Sequence, residues 1–202
     1  MSTSIPVALP HLRIGLTGGI GCGKSTVLEI LQQLGARTAQ ADLLAREQFD
    51  DPAMRQRLRE RFGDGIFDAE GKVDRPSLGR IVFNSRERLA ELEELLHPAV
   101  RAAWQRICDE PQPLVVIEIP LLFEKDLHSS FDLTWCVAAS TQTRHQRLQA
   151  RGWNDEQIAQ REANQWTVAQ KMQKADVVIW NEGSLAHLQA QIKHSLFSPT
   201  TA

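Results

Sequence analysis

The stretch that decides the fold is Leu12-Arg13-Ile14-Gly15-Leu16-Thr17-Gly18-Gly19-Ile20-Gly21-Cys22-Gly23-Lys24-Ser25-Thr26. Leu12 to Leu16 reads as a short strand. Gly18 to Ser25 fits G-x-x-x-x-G-K-[ST], the pattern of a phosphate-binding P-loop. Beyond it Val27, Ile30, Leu31 and Leu34 recur at i, i+3, i+4 and i+7, the stripe of an amphipathic helix that stops at Gly35. Strand, glycine loop and helix in that order have a physical logic. Glycines at 18, 19, 21 and 23 let successive backbone N–H groups converge on phosphates at a helix N-terminus. Lys24 supplies a positive charge for the β- and γ-phosphates, and Ser25, followed by Thr26, offers a hydroxyl to magnesium. The loop from Gly18 to Thr26, Cys22 included, is therefore the expected nucleotide site. Oxidation or alkylation of Cys22 is expected to obstruct it.

Outward from this unit, β-like runs alternate with helical patterns, as in an α/β fold with a parallel sheet. Ala36 to Asp42 reads as a weak second strand leading into a helix with Leu43 and Leu44. Leu114 to Ile119 is nearly continuous apolar sequence broken by Glu118, as expected of a strand covered on both faces. Leu133 to Ala138 and Asp176 to Trp180 read as further strands, Arg144 to Ala150 as a helix, and Arg151 to Gln165 as a polar helical segment. Ser184 is placed to cap a closing helix with Leu185, Leu188, Ile192 and Leu196. From Gln48 to Pro111 the pattern is almost entirely helical, which predicts a helical subdomain standing off the sheet. Within it, Asp51-Pro52 is a cap and first-turn pair for a helix with Met54, Leu58 and Phe62, ended by Gly63. Gly63 to Arg75 is rich in turn residues. Ser85 is placed to cap a helix with Leu89, Leu92, Leu95 and Leu96. His97-Pro98 is expected to break or kink that helix before another with Val100, Ala103, Trp104 and Ile107.

Composition excludes several functions. The chain has 202 residues, 42% of them hydrophobic, enough for one sizeable core. Its 23 basic and 25 acidic residues give a net charge of −2, so no whole-chain field draws it to nucleic acid or an anionic membrane. No apolar run approaches the roughly 18 residues of a membrane span, and Met1 to Pro10, an expected N-terminal extension, has no leader pattern. A cytoplasmic protein is expected. The 3 cysteines form no C-x-x-C pair and the 6 histidines no metal-binding spacing, so buried thiols are expected and structural zinc is not.

The reaction depends on what meets the phosphate. No N/T-K-x-D motif is present for reading a guanine base, and Asp68-Ala69-Glu70-Gly71 is most simply a turn. Small-molecule kinases are about this size. Transfer to a hydroxyl needs a carboxylate near the acceptor proton, and the metal needs a carboxylate at a strand end. Asp42 and Glu118 fit those places. Each has a plainer alternative, a helix N-cap for Asp42 and a structural ion pair for Glu118.

Thr17 to Thr26, Ala41-Asp42 with Ala45-Arg46, Leu96-His97-Pro98, Pro120-Leu121-Leu122-Phe123-Glu124 and Ala175-Asp176-Val177-Val178-Ile179, in that order, resemble the dephospho-CoA kinase family over about residues 12–185. The resemblance implies a three-layer P-loop fold in residues 11–202, with a helical substrate-binding insert at about 48–111 and a lid at about 151–165. It implies magnesium and ATP, with phosphorylation of the ribose 3′-hydroxyl of dephospho-CoA. It makes Asp42 the candidate base beside catalytic Lys24, with Ser25 and Glu118 toward the metal. It sets Arg46, His97, Pro98, Leu122, Phe123 and Glu124 around the acceptor, and Arg147 and Arg151, among the arginines at 144, 147, 151 and 161, over ATP. A monomer or weak homo-oligomer is expected. His97 could instead be a simple helix-end histidine, and the arginines solvated charges. Another small hydroxyl compound, such as a nucleoside, is the alternative acceptor, and a non-catalytic ATP-binding regulator the alternative function. Three positions depart from the family pattern: Gln40 where Asp is frequent, Glu118 in place of Asp, and Trp180 before Asn181.

Overall fold

The computed structural model describes residues 11–197, so the expected extension at 1–10 lies outside the described residues. Five strands, β1 (Leu12–Gly18), β2 (Arg37–Gln40), β3 (Leu114–Glu118), β4 (Leu133–Ala138) and β5 (Val177–Trp180), form one sheet in the order β2-β3-β1-β4-β5. β1 is central. It runs parallel to β3, with Leu16 opposite Glu118, and parallel to β4, with Gly18 opposite Val137. β4 runs parallel to β5. Parallel neighbours require crossovers, and the helices between the strands supply them. The chain is thus an α/β protein.

The described residues divide into two compact units, one of residues 11–38 and 110–197, the other of Ala39–Asp109. In the first, α1 (Lys24–Gln33) and α9 (Leu185–Phe197) pack on one face of the sheet. Strand periodicity explains the choice of face. Ile14 and Leu16 of β1, Leu114 and Val116 of β3, and Trp135 and Val137 of β4 are alternate residues, and all join Val27, Ile30 and Leu31 of α1 and Leu188 and Ile192 of α9 in one core. Gly15 and Thr17 of β1, Val115 and Ile117 of β3, and Cys136 and Ala138 of β4, which alternate with them, are buried as well, so these three strands are covered on both faces. The remaining helices of this unit are α6 (Thr141–Gln149), α7 (Asp155–Ala163) and α8 (Val168–Lys174).

The second unit contains α2 (Ala41–Gln48), α3 (Pro52–Phe62), α4 (Arg75–Val82) and α5 (Arg86–Cys108). Met54, Leu58, Ile66, Leu78 and Val82 form its core, and Leu89, Leu92, Leu95, Leu96 and Ala99 pack on them. Asp51 caps α3 as expected, its Oδ2 accepting from the Met54 N–H at 2.9 Å. Three local expectations are corrected. The break expected at His97-Pro98 does not occur: α5 continues for 23 residues with Pro98 inside it, because leucines before the proline and Ala99, Ala103 and Trp104 after it are all packed or buried. That packing outweighs the roughly 3 kcal/mol a mid-helix proline costs. The turn-rich stretch is followed by α4, which its Pro76 and Gly79 conceal in the sequence. β2 ends at Gln40, which takes the cap position, so Asp42 neither closes the strand nor caps the helix; it is the second residue of α2.

Candidate active site

The loop between β1 and α1 needs glycine where the backbone turns back on itself. Gly18 has φ +145°, and a Cβ there would lie 2.3 Å from the Val137 carbonyl oxygen. Gly23 has φ +88°, and a Cβ there would lie 2.2 Å from Asn181 Nδ2. These are the turn into the loop and the cap of α1; a side chain at the first would meet backbone, and one at the second would be strained and would displace the Asn181 amide. The N–H groups of Lys24, Ser25 and Thr26 open α1, where a helix has no carbonyls to offer them. Aligned with the positive end of the helix dipole, they form an anion site.

Lys24 Nζ donates to the carbonyls of Gly18 and Gly19 at 3.1 Å each and lies 3.8 Å from Glu118 Oε1. Both side chains of that pair are 11% exposed. Register places them together, since Glu118 ends β3 opposite Leu16 of β1, two residues before the loop. Ser25 is exposed at the start of the helix.

Behind the loop stands a brace that sequence reasoning missed in part. Asn181, buried just beyond β5, donates from Nδ2 to the Cys22 carbonyl at 2.9 Å. Arg147 of α6 donates to the carbonyls of Gly21 at 3.3 Å, Cys22 at 3.4 Å and Asn181 at 3.0 Å. Its guanidinium, expected over ATP, is thus engaged with the loop backbone. Glu182 accepts from the Ser140 N–H and the Thr143 hydroxyl at the start of α6, and these bonds hold its carboxyl below the usual range. Arg151 is exposed. Arg144 is buried and paired with Glu162, and Arg161 lies 4.6 Å above the Trp153 ring.

The Cys22 side chain is fully buried, and burial raises its thiol pKa against the opposing pull of Lys24 and Arg144, which makes the native thiol slow to react. Cys108 and Cys136 are buried too, as expected.

The turn after β3 is tightly held. Leu122 is fully buried, Phe123 is buried and stacks on Trp166 at 6.3 Å, and Glu124 accepts from the Trp166 N–H at 2.8 Å and pairs with Lys171 at 2.9 Å. In the second unit, Asp42 and Arg46 are both exposed and stand at i and i+4, one face of α2. His97 and Pro98 are exposed on α5, with His97 Nε2 3.9 Å from Glu93. Loop, Lys24, Ser25, Glu118 and Arg147 are therefore gathered in the first unit, while Asp42, Arg46, His97 and Pro98 belong to the second.

Among the described residues no helix is long and apolar enough to cross a membrane. A family model described as dephospho-CoA kinase matches residues 12–187. A dephospho-CoA kinase of Thermosynechococcus vestitus is 42% identical over 187 residues, covering 90% of this chain and 91% of the relative. A solved protein of Thermus thermophilus superposes with a TM-score of 0.82 at 34% identity, covering 95% of this chain and 98% of that one. The solved dephospho-CoA kinase of Campylobacter jejuni does so with a TM-score of 0.64 at 27% identity, covering 91% and 95%. With a family match across most of its length and relatives of this similarity, the chain belongs to the dephospho-CoA kinase family.

Proposed function

We propose that this chain transfers the γ-phosphoryl group of ATP to the ribose 3′-hydroxyl of dephospho-CoA, the last step of coenzyme A synthesis. The observation that carries the reading is Lys24 on the glycine loop, ion-paired with Glu118 at the end of β3, in a chain of this family. The phosphates of ATP bind the N–H groups opening α1, and the Lys24 ammonium moves from the loop carbonyls onto the β- and γ-phosphates. There it stabilises charge on the transferring group. Asp42 accepts or orients the 3′-hydroxyl proton, with Arg46 one turn along holding the acceptor. His97, Pro98 and the turn through Leu122, Phe123 and Glu124 shape the acceptor pocket. Arg147 and Arg151 serve the ATP side, and closure of a lid at about 151–165 excludes water.

A magnesium ion fits this donor set. Among the described residues no three acidic, histidine or cysteine side chains gather to hold a metal. Magnesium, however, keeps several waters and needs only one or two protein oxygens beside the substrate phosphates. Ser25, exposed at the start of α1, and the Glu118 carboxylate would hold it directly or through water. When bound it supplies charge neutralisation between the β- and γ-phosphates. The chain works in the cytoplasm, as a monomer or weak homo-oligomer.

The test is ADP release from magnesium ATP with and without dephospho-CoA, with the product identified by mass. Acceptor-dependent release with one phosphate gained is expected. Nucleotide binding without acceptor-dependent turnover sinks the reading.

A further inference from the structure

Lys171 is the most deeply buried charged side chain among the described residues, with no exposed surface, and the mechanism above gives it no part. Its ammonium lies 2.9 Å from Glu124 Oε1 and donates to the Pro120 carbonyl. That carbonyl also accepts from the Thr17 hydroxyl at 3.1 Å, and Glu124 Oε1 also accepts from the Trp166 N–H at 2.8 Å. The ammonium, carried by α8, contacts only the turn after β3, but its two acceptors there also tie in Thr17 near the end of β1 and Trp166 just ahead of α8, so three pieces of chain meet at this pair. Burial pushes the Lys171 pKa down, and the bond to Glu124 opposes that push.

Stability alone does not explain the pair. A buried ion pair is often replaced by apolar groups of similar volume at no loss. The second oxygen, Glu124 Oε2, is buried with no hydrogen-bond partner, an unfavourable state for a carboxylate. What the pair supplies is direction, since a tethered ammonium with fixed partners holds a turn in a single shape. We propose that Lys171 is a positioning residue for the acceptor: by holding the Glu124 carboxylate and the Pro120 carbonyl together, it sets the Pro120–Glu124 turn. This rests on the reading that the turn shapes the acceptor pocket.

The test compares wild type with Lys171→Met, Lys171→Arg and the double variant Lys171→Met with Glu124→Gln. KM is measured for ATP and dephospho-CoA separately, with kcat and thermal stability alongside. For Lys171→Met the acceptor KM is expected to rise about tenfold or more, the loss of one charge-assisted hydrogen bond, while the ATP KM stays within about twofold. The double variant, freed of the unpaired carboxylate, should regain stability while keeping the raised acceptor KM. If Lys171→Met does not fold, the double variant carries the same KM comparison, and Lys171→Arg should retain part of the acceptor affinity. Variants that fold and keep the wild-type acceptor KM overturn the proposal, as does a double variant that regains it. Those results are distinct from a wild-type protein that never phosphorylates dephospho-CoA, which overturns the kinase reading and this proposal with it.

Discussion

The side-chain amide of Asn181 holds the Cys22 carbonyl at 2.9 Å, and Arg147 reaches the same carbonyl at 3.4 Å. In a planar trans peptide the carbonyl and the following N–H point opposite ways. Drawing the Cys22 oxygen toward Asn181 thus turns the Gly23 N–H away from the brace, as a phosphate cradle requires. If the loop holds the phosphates of ATP, Asn181 acts on them through the loop's shape. Asn181→Ala should raise the KM for ATP about five- to tenfold, the worth of one hydrogen bond, and leave the KM for dephospho-CoA nearly unchanged. Steady-state kinetics with each substrate varied decides it; an unchanged ATP KM would detach the brace from the loop's shape.

Lys24 and Glu118 make an ion pair that only one of two roles needs. If the Lys24 ammonium meets the transferring group, Lys24→Met should lower kcat by at least about 10²-fold. It also removes one charge partner of a carboxylate that is 11% exposed, so the variant should be less stable as well. Adding Glu118→Gln should recover that stability and none of the activity. Chemical denaturation alongside turnover separates the two losses.

Burial pushes the Cys136 thiol up to about 12 from its ordinary 9.0. Between those values the unfolded chain loses this proton and the folded chain keeps it, so the folded state binds more protons and stability falls as pH rises. Lys171, with its pKa lowered, contributes the opposite slope below 10.5, because there the unfolded chain binds the extra proton. Cys136→Ala removes the first effect alone. Between pH 8 and pH 10, urea unfolding should show wild type changing in stability less favourably than the variant, by at most about 1.4 kcal/mol per pH unit from this thiol. Equal changes would mean that the thiol does not titrate on unfolding.

Asp42 is exposed in the first turn of α2, with nothing in its position that demands a carboxylate for folding. Asp42→Asn should therefore fold and bind ATP as wild type does. If the carboxylate serves the 3′-hydroxyl, turnover should drop about 10²- to 10⁴-fold. Normal turnover in this variant removes Asp42 from the mechanism.

The loop, its helix and the apolar strands were legible because their signals are local: a glycine pattern, a 3.6-residue stripe, a continuous apolar run. Two helices were not read. α4 hides behind Pro76 and Gly79, and α8 has only 7 residues, although Thr167 and Gln170 form a capping box that the motif T-x-x-Q announces. The brace and the buried lysine are a different matter. Asn181 meets Cys22 across 159 residues, and Lys171 meets Pro120 across 51. A lysine in a polar helical stretch looks solvated until the fold closes over it, and no local rule carries that information.

Pro98 is the clearest conflict between local rule and structure, since it has no N–H for the Glu94 carbonyl and yet lies inside an unbroken helix. It is exposed, so its ring fills no core space. A residue that weakens its own helix without packing for it is the pattern of a position kept for function. Pro98→Ala should restore the hydrogen bond and remove the ring clash, stabilising by about 1 to 3 kcal/mol and raising Tm by several degrees. If His97 and Pro98 shape the acceptor pocket, the same variant should bind dephospho-CoA more weakly, with ATP affinity unaltered. Calorimetry and acceptor KM on one preparation test both halves. A higher Tm with unchanged acceptor KM would leave Pro98 outside the pocket, and a lower Tm would mean that the helix on either side is packed to fit the proline.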